Sequence, residues 1–160
     1  MPWELHTTGE DYWFETDDVT GSYLGRGLIT PRTINDFLHA TRVLIRWAPL
    51  GQYYGDALPI AFRKAHIRLH HDLDFYLAAI TTVHELEHLM LRIFGAGKSS
   101  VYTSRTSVDI EQRLDDEAEN FYDNQRNHGY VEAILSSLYL RDGRKNRRQR
   151  VLKPVCLKEL

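Results

Sequence analysis

The chain has 160 residues, 42% hydrophobic and 26% charged, which suffices for one domain with a hydrophobic core but not for two of ordinary size. This balance excludes an intrinsically disordered chain, and no apolar run reaches the ~18 residues of a membrane span. The net charge of −2 is unevenly divided: residues 1–140 carry 12 Lys/Arg against 20 Asp/Glu and residues 141–160 carry 8 against 2, and an acidic body argues against tight nucleic-acid binding by the main domain, because phosphate contacts supply most of such affinity.

The opening residues, MPWELHTTGEDYWFE, show neither a basic n-region nor an apolar h-region, and Cys156 is the only cysteine. The expectation is a reducing, cytoplasmic setting with no internal disulfide. Trp3 to Leu28 is aromatic-rich and broken by Gly9, Gly21, Gly25 and Gly27, which predicts short strands or loop. Thr30-Pro31 is a helix start, with Thr30 as cap and Pro31 at the first helical position. Ile34, Phe37, Leu38, Thr41, Leu44, Ile45 and Ala48 follow at helical spacing, and Pro49 and Gly51 end that helix.

Gln52 to Pro59 is expected as a loop and Ile60 to His71 as a strand, with Ala65, Ile67 and Leu69 on one face and His66, Arg68 and His70 on the other. Asp72 is the expected cap of a long helix, Leu73 to Phe94, ended by Gly95 and Gly97. After a polar loop from Lys98 to Ser104, Thr106 and Asp109 resemble a capping pair that opens a helix from about Ser107 to Asn127. Gly129 stops it. Tyr130 to Arg141 is the last predicted helix, ended near Gly143, and Arg144 to Arg150 is a basic run. No internal repeat is present.

The informative stretch is TTVHELEHLMLRIFG, Thr81 to Gly95, which contains His84-Glu85-Leu86-Glu87-His88. Residues four apart on a helix share a face, so both imidazoles of an HExxH pattern can reach one metal ion. Glu85 sits about 100° from His84, where it is placed to accept a proton from water activated by that ion, the role of a general base. Leu73, Leu77, Ile80 and Leu91 share the histidine face, and Phe75, Ala79, Val83, Leu86, Met90 and Ile93 cover the other side. A helix apolar nearly all round is buried, and two histidines inside it need partners. A pair of hydrogen-bonded core histidines is the simpler reading; the i,i+4 spacing and the intervening Glu favour the metal.

A catalytic zinc takes three protein ligands. The following helix offers Asp115, Asp116, Glu117 and Glu119. On a helical wheel that starts at Ile110, Leu114, Ala118 and Phe121 share one apolar stripe and Glu117 falls inside it. Asp115, Glu119 and Asp116 fall off the stripe. A core-facing carboxylate requires a cation nearby, so Glu117 is the expected third ligand, against a buried salt bridge as the plain alternative. Asp115 and Glu119 are held in reserve.

With His84, Glu85 and His88 on one helix and Asp115, Asp116, Glu117 and Glu119 on the next, the chain resembles a small gluzincin metallopeptidase, and most closely the ImmA/IrrE-like group of minimal zincins. The likeness spans about Ile60 to Phe121. It implies an α+β fold in which a small sheet packs on the HExxH helix and further helices, and a single zincin-like metallopeptidase domain over 1–143 with a basic tail over 144–160. It also implies one Zn2+ and hydrolysis of a protein or peptide substrate, such as the transcriptional repressors whose cleavage that group of phage and mobile-element proteins promotes. Matching the group's pattern on Ala118 and Phe121 puts Asp115 at the ligand position, in conflict with the helical-face argument for Glu117. Glu87 departs from the group, which places small or apolar residues there; it would pair with a histidine or mark a lost activity. By the same resemblance, the strand Ile60–His71 edges the cleft and pairs with substrate, with His66, Arg68 and His70 as candidate cleft residues. Tyr102, Tyr122 and His128 are candidate oxyanion stabilisers.

Two other classes fit parts of this pattern. Glu85-x-x-His88, echoed by Asp36-x-x-His39, suits a di-iron carboxylate helical bundle. A zincin fold kept as a catalytically inactive binding or inhibitor protein is the other. The Arg144–Arg150 run suits a weak contact with nucleic acid or an acidic partner, or a solvated, mobile tail.

Overall fold

A computed structural model describes residues 29–94 and 104–159. The expected strands or loop of Trp3 to Leu28, and the loop up to residue 103 that includes Tyr102, lie outside the described residues. Within them the chain forms a small α+β fold with four helices, α1 (Pro31–Ala40), α2 (Phe75–Phe94), α3 (Ser104–Asp123) and α4 (Gln125–Leu135), and four strands, β1 (Arg42–Ala48), β2 (Gly55–Ala61), β3 (Lys64–His70) and β4 (Arg150–Leu152). No described helix is long and apolar enough to cross a membrane.

The start of α1 follows its sequence signals. Thr30 and Thr33 cap reciprocally, each side chain taking the other's backbone N–H at 3.0–3.1 Å, and Pro31 opens the helix. The helix then ends at Ala40, not Ala48 as expected, and Arg42 to Ala48 is a strand. The physical reason is burial on both faces. Val43, Ile45 and Trp47 bury on one side and Leu44 on the other, so this central strand shows a near-continuous apolar run in place of alternation, and its spacing mimics a helix.

The sheet order is β2-β3-β1-β4. β1 runs parallel to β3, with Val43 opposite Ala65 and Trp47 opposite Leu69, while β2 and β4 flank them antiparallel. The expected strand Ile60–His71 is two strands folded back at Phe62-Arg63, and part of the expected loop Gln52–Pro59 belongs to β2. Arg63 takes a left-handed backbone, φ 54°. A turn built without Gly, Asn or Asp gives no sequence signal.

The segment after 143, expected as a solvated tail, instead supplies β4. Leu152 pairs with Val43 and is buried.

The core lies between the sheet and the helices. Ala65, Ile67 and Leu69 are fully buried as their alternation predicted, against Ala79, Val83, Leu86, Leu89 and Met90 of α2 and Tyr130, Val131, Ile134 and Leu135 of α4. Each large apolar side chain so buried contributes about 1.5–3 kcal/mol before entropy is counted. Polar ties fix the layers. Asn35 of α1 accepts from the Tyr130 hydroxyl at 2.8 Å and the Val155 N–H at 3.0 Å, and donates to the Val155 carbonyl at 2.6 Å. Trp47 Nε1 donates to the Leu138 carbonyl at 3.2 Å.

A mixed sheet at the centre is incompatible with the di-iron four-helix bundle, and His39 is exposed to solvent.

Candidate metal centre

α2 is set by its N-terminal cap. Asp74, not Asp72 as expected, accepts the Leu77 N–H at 2.9 Å, while the Asp72 N–H is taken by His70 Nδ1 at 3.0 Å. From that start the helix carries His84 to its middle, with Leu86, Leu89 and Met90 sealed into the core behind it.

His84 and His88 meet as the i,i+4 spacing requires. Their Nε2 atoms are 3.0 Å apart and the rings cross at 71°. The Glu85 carboxylate stands 3.9 Å from His84 Nε2. His84 and Glu85 are buried. Two nitrogens bound to one tetrahedral zinc at about 2.0–2.1 Å would be separated by about 3.3 Å, so the observed pair is close to the edge of such a tetrahedron. The other side of His84 is also held, with Nδ1 2.8 Å from the Asp115 carboxylate of α3. That contact is electrostatic: it places a carboxylate beside the ring without hydrogen-bond alignment to Nδ1. The donor set therefore fits zinc: two imidazoles, with an acid behind one of them and another beside the site.

The pair opens onto a cleft of about 1060 Å³. Its floor is α2 at Leu77, Ile80 and Thr81; one wall is the start of β2 with the residue before it, Tyr54 to Ala57, and the other is α3, through Asp115, Asp116 and Glu119. β2 can come this close only because Gly55 has no side chain. A Cβ there would lie 2.6 Å from Thr81 Cγ2, 2.9 Å from the Arg68 carbonyl and 3.6 Å from Glu85 Cγ. Tyr76 stands at the rim, its hydroxyl 3.2 Å from Asp123.

Glu117 is not brought into this group. The potential ligand atoms that gather within 4.8 Å here belong to His84, Glu85 and His88, and the acids that line the cleft are its neighbours on α3. Glu117 is half-buried and bears electrostatically on Glu87. The wheel argument correctly sent Glu117 inward. The acids that face the cleft, Asp115 and Glu119, stand at the border of that apolar stripe. Asp115, held in reserve as a ligand, supports His84 in the structure.

Glu87 is fully buried, and neither carboxylate oxygen has a hydrogen-bond partner among the described residues. It does not pair with a histidine. Burial, then the nearby Glu117 and Asp115 charges, push its carboxyl well above the usual range, toward the protonated form.

The candidate cleft residues of β3 lie elsewhere. Arg68 forms a two-pronged ion pair with Asp56, and His66 sits on the same sheet face, its pKa lowered by burial and then by Arg46 and Arg68. His70 stacks on His71, and the two gather with Asp72 as a second, more exposed group of potential ligands. None of His66, Arg68 and His70 lines the cleft. His128 packs against Tyr122, which in turn meets Tyr76 edge-on; neither His128 nor Tyr122 reaches the cleft. Tyr54, Gly55 and Tyr76 were missed by sequence reasoning. Leu77, Ile80 and Thr81 were findable, since they lie within about 60° of His84 on the wheel.

No family model matches the chain, and no curated protein or solved structure matches it.

Proposed function

We propose that the protein is a zinc-dependent peptidase acting on a protein or peptide substrate. The observation that carries this reading is the His84–His88 pair, Nε2 to Nε2 at 3.0 Å, buttressed by Asp115 and flanked by Glu85 in an open cleft. Zinc bound there would supply a Lewis acid that polarises a scissile carbonyl and lowers the pKa of water. His84 and His88 would hold it, with Glu119 of the cleft wall as the acid to complete the set. Glu85 accepts the proton from water and returns it to the leaving amine. Asp115 sets a negative charge beside the His84 ring. Among the described residues β2 is an edge strand beside the site, the position from which a strand pairs with an extended peptide. Regulatory proteins such as repressors are the substrate class that the resemblance suggests. The single, exposed Cys156 suits a reducing, cytoplasmic setting.

Metal analysis of the purified protein, together with peptide hydrolysis, tests this. One zinc per chain is expected, lost in His84→Ala and His88→Ala. Glu85→Gln should keep the zinc and lose hydrolysis by about 100-fold or more. Zinc-free protein, or full activity in Glu85→Gln, sinks the proposal.

A further inference from the structure

We propose that the 144–150 loop and the start of β4 form a binding site for the phosphodiester backbone of a nucleic acid. The site is separate from the metal centre and does not rest on the peptidase reading.

Its walls surround an open cavity of about 790 Å³, lined by Arg144, Lys145, Arg147, Arg148 and Arg150, with no acidic residue in the lining. The loop is built, not loose. The Leu140 N–H donates to the Arg144 carbonyl at 2.7 Å, and the Asn146 N–H to the Leu138 carbonyl at 2.7 Å. Lys145 Nζ donates to the His71 carbonyl, and to the Leu73 carbonyl at 2.6 Å, and lies 4.5 Å over the Trp47 ring. Lys145 is thus committed as an anchor. Arg144 is paired with Asp142 at 2.6 Å. Arg147, Arg148 and Arg150 are exposed, and none has an acidic partner among the described residues. Three guanidiniums close together in sequence therefore stand without an acidic partner among the described residues. Holding like charges together has an electrostatic cost that a polyanion would relieve.

The chemistry favours phosphate over an acidic protein. Guanidinium forks match phosphate oxygens in bidentate fashion. A protein partner would want apolar or aromatic anchors at the centre of the patch. Among the described residues, the only exposed large apolar side chain there is Leu140, and Trp47 is capped by Lys145. The exposed lining is mainly guanidinium, with His71 as a ring at its border stacked on His70, so charge on the backbone and not base sequence dominates what the site reads.

Anisotropy titrations of the full chain check this. The probes are labelled DNA and RNA of about 20 nucleotides, single-stranded and duplex, and a polyglutamate of the same length, at salt between about 50 and 200 mM. Nucleic acid should bind with a log–log salt slope of about −2 to −3, as three phosphate contacts require, and polyglutamate at least tenfold more weakly. A preference for RNA or DNA names the source, and either supports the site. R147Q/R148Q/R150Q should lose at least tenfold in affinity and flatten the slope, with an unchanged melting temperature. R147K/R148K/R150K should retain the slope. No binding at the lowest salt, equal binding of polyglutamate, or an unchanged triple Gln variant overturns the proposal.

Discussion

Asp115 and Glu87 show how its neighbours decide what a carboxylate beside the candidate metal centre does. Asp115 stands 2.8 Å from His84 Nδ1, and its replacement by Asn keeps the shape but removes the charge beside that ring. Asp115→Asn should lower zinc affinity about 10- to 100-fold, read by competition with a chromogenic chelator; an unchanged affinity would show that the charge does not act on the ligand. Glu87 meets no donor and is pushed toward the protonated form by burial and by Glu117 and Asp115. The folded, zinc-free protein holds that proton more tightly than the unfolded chain does. Its stability is therefore greatest below the unfolded carboxylate value, about 4.3, and declines as pH rises above it. Glu87→Gln removes this liability. Urea unfolding of the zinc-free proteins should show the variant gaining stability over the parent between about pH 5 and pH 8, by about 1–3 kcal/mol at the upper end. A constant difference across that range would mean that Glu87 is satisfied.

The contact between β2 and α2 depends on Gly55. Gly55→Ala places a methyl against Thr81 Cγ2 and, less forgivingly, against the Arg68 backbone carbonyl. It should destabilise the fold by about 1–3 kcal/mol. Thr81→Ser, which deletes Cγ2, should recover only part of the loss in a double-mutant cycle. Full recovery would mean that the backbone contact is soft.

Elements were legible where one face was apolar and the ends were capped. α2 could be read almost to the residue, because histidine spacing and hydrophobic period agree, and β3 because Ala65, Ile67 and Leu69 alternate. β1 was illegible because a strand buried on both sides has no period to detect. The hairpin at Arg63 was illegible because its turn uses an ordinary residue with positive φ. Of the candidate site, the pair and the base could be read from one helix alone. The third partner depends on how α3 rotates against α2, a tertiary property that no single helix encodes. Wheel reasoning located the core, but not the border between core and cleft where Asp115 and Glu119 stand.

At the scale of the whole molecule, the zinc of the proposed function would couple to the fold. A zinc ion held by α2 and an acid of α3 would staple two helices otherwise joined through apolar packing and the Asp115 contact. Zinc in excess should therefore raise the melting temperature, by about 2.7 kcal/mol of added stability at a hundredfold excess over the dissociation constant, and His88→Ala should abolish the effect. A melting temperature indifferent to zinc and to chelator would separate the two. The charge asymmetry of the chain acts at this scale too, since the basic loop stands on a body whose other charges sum to acid.

β1 occupies the middle of the sheet, yet one of its two partners is made from residues 150–152. During synthesis the chain lays down β1, β2, β3 and the metal-site helix well before β4 exists. Until then one long side of β1 has unpaired amides and carbonyls beside apolar side chains, which is the geometry that recruits other strands. Ribosome-stalled or prematurely terminated products ending before residue 150 should therefore self-associate even though they contain His84, Glu85 and His88, and adding the missing segment as a separate peptide should suppress that association.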